Sequence, residues 1–138
     1  MLRKKILVVD DDAVVQRALS VKLHAAGYDV LVANDGAEAM GSVRQNRPDL
    51  ILLDVIFPPD VAHGGGVSWD GFLLLAWLRR MDEARDIPVV MISGDDSPEQ
   101  IQRARAAGAN GFFPKPINYD GLVNTLAQIL GEPVPQPA

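Results

Sequence analysis

Side chains that could do chemistry recur directly behind apolar runs. Asp10-Asp11-Asp12 follows Ile6-Leu7-Val8-Val9, and Asp54 follows Leu50-Ile51-Leu52-Leu53. Ser93-Gly94 follows Val89-Val90-Met91-Ile92, and Lys115-Pro116 follows Gly111-Phe112-Phe113-Pro114. The groups on offer are several carboxylates, a hydroxyl and an ammonium. At about 4 Å and an effective dielectric near 20, two carboxylates repel by roughly 4 kcal/mol. Their convergence therefore demands a cation or a raised pKa. An all-oxygen set without His or Cys selects Mg2+ (or Mn2+), which takes one or two carboxylates together with waters and phosphate oxygens. Beside such an ion, Asp54 can attack phosphorus as a carboxylate nucleophile. Lys115 and the Ser93 hydroxyl would then hold phosphoryl oxygens and offset charge in the transition state.

That chemistry requires elements that bring four distant segments together. Short β-branched runs alternate with stretches of helical period. From Asp12, an N-cap candidate, Val15, Leu19 and Leu23 and a second set of Val14, Ala18 and Val21 recur at helical spacing, and Gly27 supplies the stop. Tyr28–Ala33 reads as a strand, and Ala37, Met40 and Val43 mark a helix weakened by Gly41. Asp70 caps a helix carrying Leu74, Leu78 and Met81. Ser97-Pro98-Glu99-Gln100 combines an N-cap, a proline at N1 and a capping-box glutamine. Pro114 places the fifth strand at a sheet edge, and Leu122, Leu126 and Ile129 give a last helix. Five β-α pairs predict an α/β fold, a doubly wound parallel sheet with ligands at the carboxyl ends of its strands.

Composition narrows the class. The chain has 138 residues, 48% hydrophobic and 22% charged, with no cysteine and a net charge of −5. That length suits one domain. Zero cysteines exclude disulfides and thiol chemistry. The acidic balance gives no electrostatic footprint for nucleic acid. No apolar run approaches a membrane span or a signal sequence, so a cytoplasmic domain without membrane contact is expected. His24 and His63 have no ligand partners at metal spacing, and Trp69 and Trp77 read as packing residues. Arg79-Arg80 and Arg103/Arg105 read as solvated helix faces. The turn after Lys115 makes Pro116 a candidate for a cis peptide.

Taken together and in order, these motifs resemble the receiver domain of two-component response regulators, over roughly residues 3–130. The matching pieces are Val8-Val9-Asp10-Asp11, Leu52-Leu53-Asp54 with Pro58 four residues later, Asp70-Gly71, Ser93-Gly94 and Lys115-Pro116. The resemblance implies a flavodoxin-like (βα)5 fold of strand order 2-1-3-4-5. It implies that Asp54 accepts a phosphoryl group from a sensor histidine kinase or a histidine phosphotransfer protein. Asp11 and Asp54 would ligate Mg2+ directly and Asp10 mainly through water, with the Ile56 backbone carbonyl as a further ligand. Phe112 matches an aromatic switch position that would turn as Ser93 moves, repacking the surface of the fourth helix, fifth strand and fifth helix. Lacking a hydroxyl, Phe112 would switch by packing alone.

The sequence departs from the family pattern in two places. Pro59–Trp69 is a long insertion, read as a surface loop, with a cover over the site or a partner contact as the alternative. Ile56 stands where many members carry a polar residue, which predicts slow loss of the phosphoryl group, with Asp95 able to compensate in part. The expected organisation is a receiver domain over 1–130 and a flexible Pro-rich tail over 131–138, without an output domain. Its downstream protein target is unknown, and the state is a monomer or a phosphorylation-linked dimer. A small-molecule phosphatase would carry a second acid where Ile56 stands, and a nucleotide or flavin module would need a phosphate-welcoming loop after strand one. The remaining alternative is a degenerate receiver that docks proteins without phosphorylation.

Overall fold

Every strand in the interior of the sheet is an unbroken apolar run because both of its faces are covered. In a computed structural model, which describes residues 3–55 and 71–131, ten elements alternate. They are β1 (Lys5–Val9), α1 (Ala13–Ala25), β2 (Asp29–Ala33), α2 (Gly36–Asn46), β3 (Leu50–Asp54), α3 (Gly71–Leu78), β4 (Val89–Ser93), α4 (Pro98–Ala106), β5 (Gly111–Pro114) and α5 (Tyr119–Leu130). All pairings are parallel and the order is β2-β1-β3-β4-β5, as expected. β5, with Pro114 in it, is an edge strand. The insertion 59–69, Ile56, Pro58 and the Asp70 cap lie outside the described residues, as does the tail beyond Gly131.

Alternation along the strands builds two cores. Leu7, Val9, Ile51, Leu53, Val89 and Met91 face one side and pack with Ala39, Val43, Leu74, Leu78 and Ala104 of α2, α3 and α4. Ile6, Val8, Leu50, Leu52, Val90 and Ile92 face the other, against Leu19 and Leu23 of α1 and Leu122 and Leu126 of α5. The helices start on side-chain caps. Asp12 accepts from Val14 N and Val15 N, Asp35 from Glu38 N, Ser97 from Gln100 N and Asn118 from Gly121 N.

Several sequence expectations change in tertiary context. Of the two apolar sets on α1 only Leu19 and Leu23 are buried, with Val15 half-buried; Val14 is 77% and Val21 61% exposed. The helix turns its Leu19–Leu23 stripe to the sheet and leaves Val14 and Val21 on its outer side. On α2 the inward small residue is Ala39, and Ala37 faces solvent. Gln100 closes no reciprocal capping box, because the Ser97 N–H donates to Asp95 Oδ1 instead, at 3.0 Å. Trp77 is 46% exposed rather than packed. Two of the arginines are not simply solvated. Arg79 donates to the carbonyls of Ile87 (2.8 Å) and Gly108 (2.8 Å) and to Asn110 Oδ1 (3.0 Å), tying the end of α3 to the α4–β5 connection. Arg103 of α4 lies 4.0 Å above the Phe72 ring of α3.

Candidate functional site

Strand register alone sets the site. Val9 is level with Leu53, so Asp10 and Asp54 leave neighbouring strands side by side. Asp54 is level with Ile92, and Ser93 with Pro114, so Ser93 and Lys115 come next along the same rim. Lys115 N donates to the Ser93 carbonyl at 2.8 Å, closing the β4–β5 end of the row. The Lys115–Pro116 peptide is cis, as the sequence suggested.

The side chains converge as their order on the rim requires. Asp10, Asp11 and Asp54 each offer an oxygen, all within 4.8 Å of one another. Lys115 Nζ is 3.5 Å from Asp10 Oδ2 and 3.4 Å from Asp54 Oδ2. Asp10, Asp54 and Ser93 are buried, while Asp11 is exposed. Burial raises the Asp10 carboxyl above its ordinary pKa; the Asp12 N–H and the Lys115 ammonium offset this only in part, and Asp11 adds to it. For Lys115 burial is the largest single influence and favours the neutral amine. The Asp54 and Asp10 carboxylates together outweigh it, so its pKa is raised.

Among the described residues, one ammonium meets three carboxylates, which leaves negative charge in a confined space. The spacing of the oxygens suits a small hard cation, whose opposed ligands stand about 4.2 Å apart at a 2.1 Å Mg–O distance. Asp12, in contrast, spends its carboxylate on the α1 cap, at 2.8 Å from Val14 N, and is no member of the cluster.

Around this centre the structure adds links that residue spacing did not show. Gly71, at the start of α3, donates to Val55 O at 2.7 Å, and a Cβ there would stand 2.6 Å from the Asp54 carbonyl oxygen. Only glycine lets α3 begin so close to the strand that carries Asp54. The Asp70-Gly71 pair was visible as a motif, though not its reason. Ser93 Oγ accepts from Asp95 N at 3.0 Å, Asp95 Oδ1 from Ser97 N at 3.0 Å, and Ser97 Oγ from Gln100 N at 3.3 Å. This chain runs from the rim into the first turn of α4. The Ser97 N–H holds the exposed Asp95 carboxyl below the usual carboxylate range. Phe112 is half-buried opposite Met91 and lines a cavity of about 370 Å3 between α4 and β5, with Ile101, Ala104 and Pro114.

With the geometry established, relatives decide the family. The family model of the response regulator receiver domain matches residues 6–127. The chain belongs to that family. This receiver domain is 28% identical over 129 residues to the polar-differentiation response regulator DivK of Brucella anthropi, covering 94% of this chain and 98% of DivK. It is 33% identical over 134 residues to the response regulator MprA of Mycobacterium leprae, covering 97% of this chain but only 54% of MprA. It thus spans about half the length of the MprA relatives it matches. Among solved structures it resembles the Vibrio cholerae chemotaxis protein CheY4, with a TM-score of 0.82, 32% identity and coverage of 93% of this chain and 99% of the other. Receiver domains belong to two-component signalling and bind Mg2+ at an acidic pocket, and Asp10, Asp11 and Asp54 have that make-up here. No helix among the described residues is long and apolar enough to cross a membrane.

Proposed function

We propose that this receiver accepts a phosphoryl group on Asp54 from the phosphohistidine of a sensor histidine kinase or a histidine phosphotransfer protein. The observation that carries the reading is the convergence of Asp10, Asp11 and Asp54 with Lys115 Nζ at 3.4 and 3.5 Å from two of them. In the transfer, an Asp54 oxygen forms a bond to phosphorus while the donor's nitrogen–phosphorus bond breaks, leaving an acyl phosphate and a free imidazole. Asp11 and Asp54 would hold Mg2+, with Asp10 mainly through water and the Ile56 carbonyl as the further ligand that the family pattern implies, and the ion would neutralise the crowded oxygens. Lys115 then balances charge on the phosphoryl group. Ser93 Oγ already accepts a bond from Asp95 N, so its own proton is available to a phosphoryl oxygen.

Movement of Ser93 pulls on the hydrogen-bonded chain through Asp95 and Ser97 into α4. Phe112 has the α4–β5 cavity to turn into. The α4–β5–α5 face is therefore the surface a downstream protein reads. The donor approaches over α1, whose exposed Val14 and Val21 line one groove with Tyr119. Ile56 lacks the polar group that would orient water, so the acyl phosphate is long-lived, with Asp95 modulating its loss. The domain occupies 1–130, the tail 131–138, and the chain works in the cytoplasm as a phosphoacceptor rather than as an enzyme on an outside substrate.

Incubation with a small-molecule phosphodonor and Mg2+, followed by intact-mass measurement, tests this. The wild-type chain gains a single phosphoryl group and Asp54→Ala gains none. A wild type that gains nothing would instead support the degenerate, docking-only receiver.

A further inference from the structure

We propose that Gln16 is a positioning residue for the divalent cation, acting by holding the peptide group that joins two of its ligands. The inference rests on reading the acidic cluster as a cation site. Gln16 lies on the second turn of α1 and is half-buried. Its side-chain Nε2 donates to the backbone carbonyl of Asp10 and, at 2.7 Å, to Asn34 Oδ1. Both amide hydrogens are thereby used.

The Asp10 carbonyl is part of the planar unit that runs to the Asp11 nitrogen and Cα. Holding that oxygen sets the rotation of the plane, and with it the direction in which Asp11 departs. Asp11 is the exposed ligand of the three, whereas Asp10 and Asp54 are buried and share Lys115. The neighbouring groups of the turn are held by other bonds, Asp10 N to Ala33 O at 3.1 Å and Asp12 N to Asp10 Oδ1 at 2.9 Å. The Asp10 carbonyl accepts from Gln16.

Gln16 is itself held in place. Asn34 donates from Nδ2 (3.0 Å) and from its backbone N (3.2 Å) to Glu38 Oε1 in the first turn of α2. The amide therefore braces the β1–α1 turn against the β2–α2 turn. Groups that orient metal ligands from the outer shell typically affect affinity by about 10–100-fold. Acting through a backbone plane, Gln16 belongs at the lower end of that range.

The test is direct Mn2+ binding to the full chain, followed by electron paramagnetic resonance, for wild type, Gln16→Met and Asn34→Ala. Methionine keeps the length of the side chain and removes the donors. Gln16→Met is expected to bind Mn2+ about 10-fold more weakly, with metal-free Tm close to wild type and phosphorylation restored at saturating Mg2+. Asn34→Ala, which releases the far end of the brace, should show a smaller loss of the same kind. Mn2+ affinity within twofold of wild type in Gln16→Met overturns the proposal, as does a lowered Tm with unchanged affinity, which marks a purely structural side chain. If Gln16→Met does not fold, unchanged affinity in Asn34→Ala overturns it. A wild type that binds no Mn2+ overturns the cation reading itself, and the proposal with it.

Discussion

The two ends of the same sheet treat charge in opposite ways. At the amino-terminal rim Arg3, Lys5, Asp29 and Asp49 each meet a complementary group. Lys5 Nζ donates to Asn46 O at 2.6 Å, Lys5 N to Asp49 Oδ2 at 2.8 Å, and Arg3 to Gly27 O and His24 O, both at 3.0 Å, with Asp29 nearby. These bonds satisfy helix ends and strand starts. At the carboxyl-terminal rim, Lys115 pairs with both Asp10 and Asp54, with Asp11 beside them. One rim is arranged for stability, while the other carries a repulsion that only an added cation or a proton relieves.

Removing the ammonium should widen this contrast most. Lys115→Ala is expected to slow phosphoryl uptake from a small donor by about 100-fold or more, since a charge aimed at the transferring group is lost. A time course of phosphoryl incorporation by intact mass checks it, and a rate within threefold of wild type would show that Lys115 is not the phosphoryl partner.

Asp10 gives a subtler handle, through pH. Its carboxyl pKa is raised in the folded chain above the ordinary value of 3.8, chiefly by burial. The folded state then binds the proton more tightly than the unfolded state, so stability is lost as pH rises through that window. Without metal, wild type should therefore fall in stability relative to Asp10→Asn as pH rises above the ordinary carboxylate pKa, leaving Asp10→Asn with the higher Tm. Saturating Mg2+ should reverse the order. Thermal unfolding across pH, with and without Mg2+, decides it.

The smallest effect belongs to the opposite rim. Asp49→Ala should cost about 1 kcal/mol, the value of one hydrogen bond, measured by denaturant unfolding. Mn2+ affinity should be unchanged. A change there would mean that the two rims are not independent.

Much of this was legible from residue order. The residues after each strand named the site because apolar runs and interrupting polar groups alternate so plainly, and parallel strands share one carboxyl-terminal rim. What escaped were features that depend on neighbours distant in sequence. Val14 and Val21 have the right period for a core stripe, but which stripe is covered depends on which side α1 turns to the sheet. Arg79 looks like any helix-surface arginine until the α4–β5 connection supplies carbonyls within its reach. Gln100 completes a capping-box pattern, yet Asp95 takes the Ser97 N–H donor, at 3.0 Å.

Local chemistry along the chain thus determined the five β-α units, the caps at Asp12 and Ser97, and the set of groups at the strand ends. These follow from periodicity and short-range hydrogen bonding, which any chain carries in its order of residues. The tertiary structure alone decided the distances at which the carboxylates meet, the position of Lys115 at 3.5 Å from Asp10 and 3.4 Å from Asp54, and the reach of Gln16 to the Asp10 carbonyl. Those distances depend on strand register and helix packing, which are set by the burial of the whole core and not by any one segment.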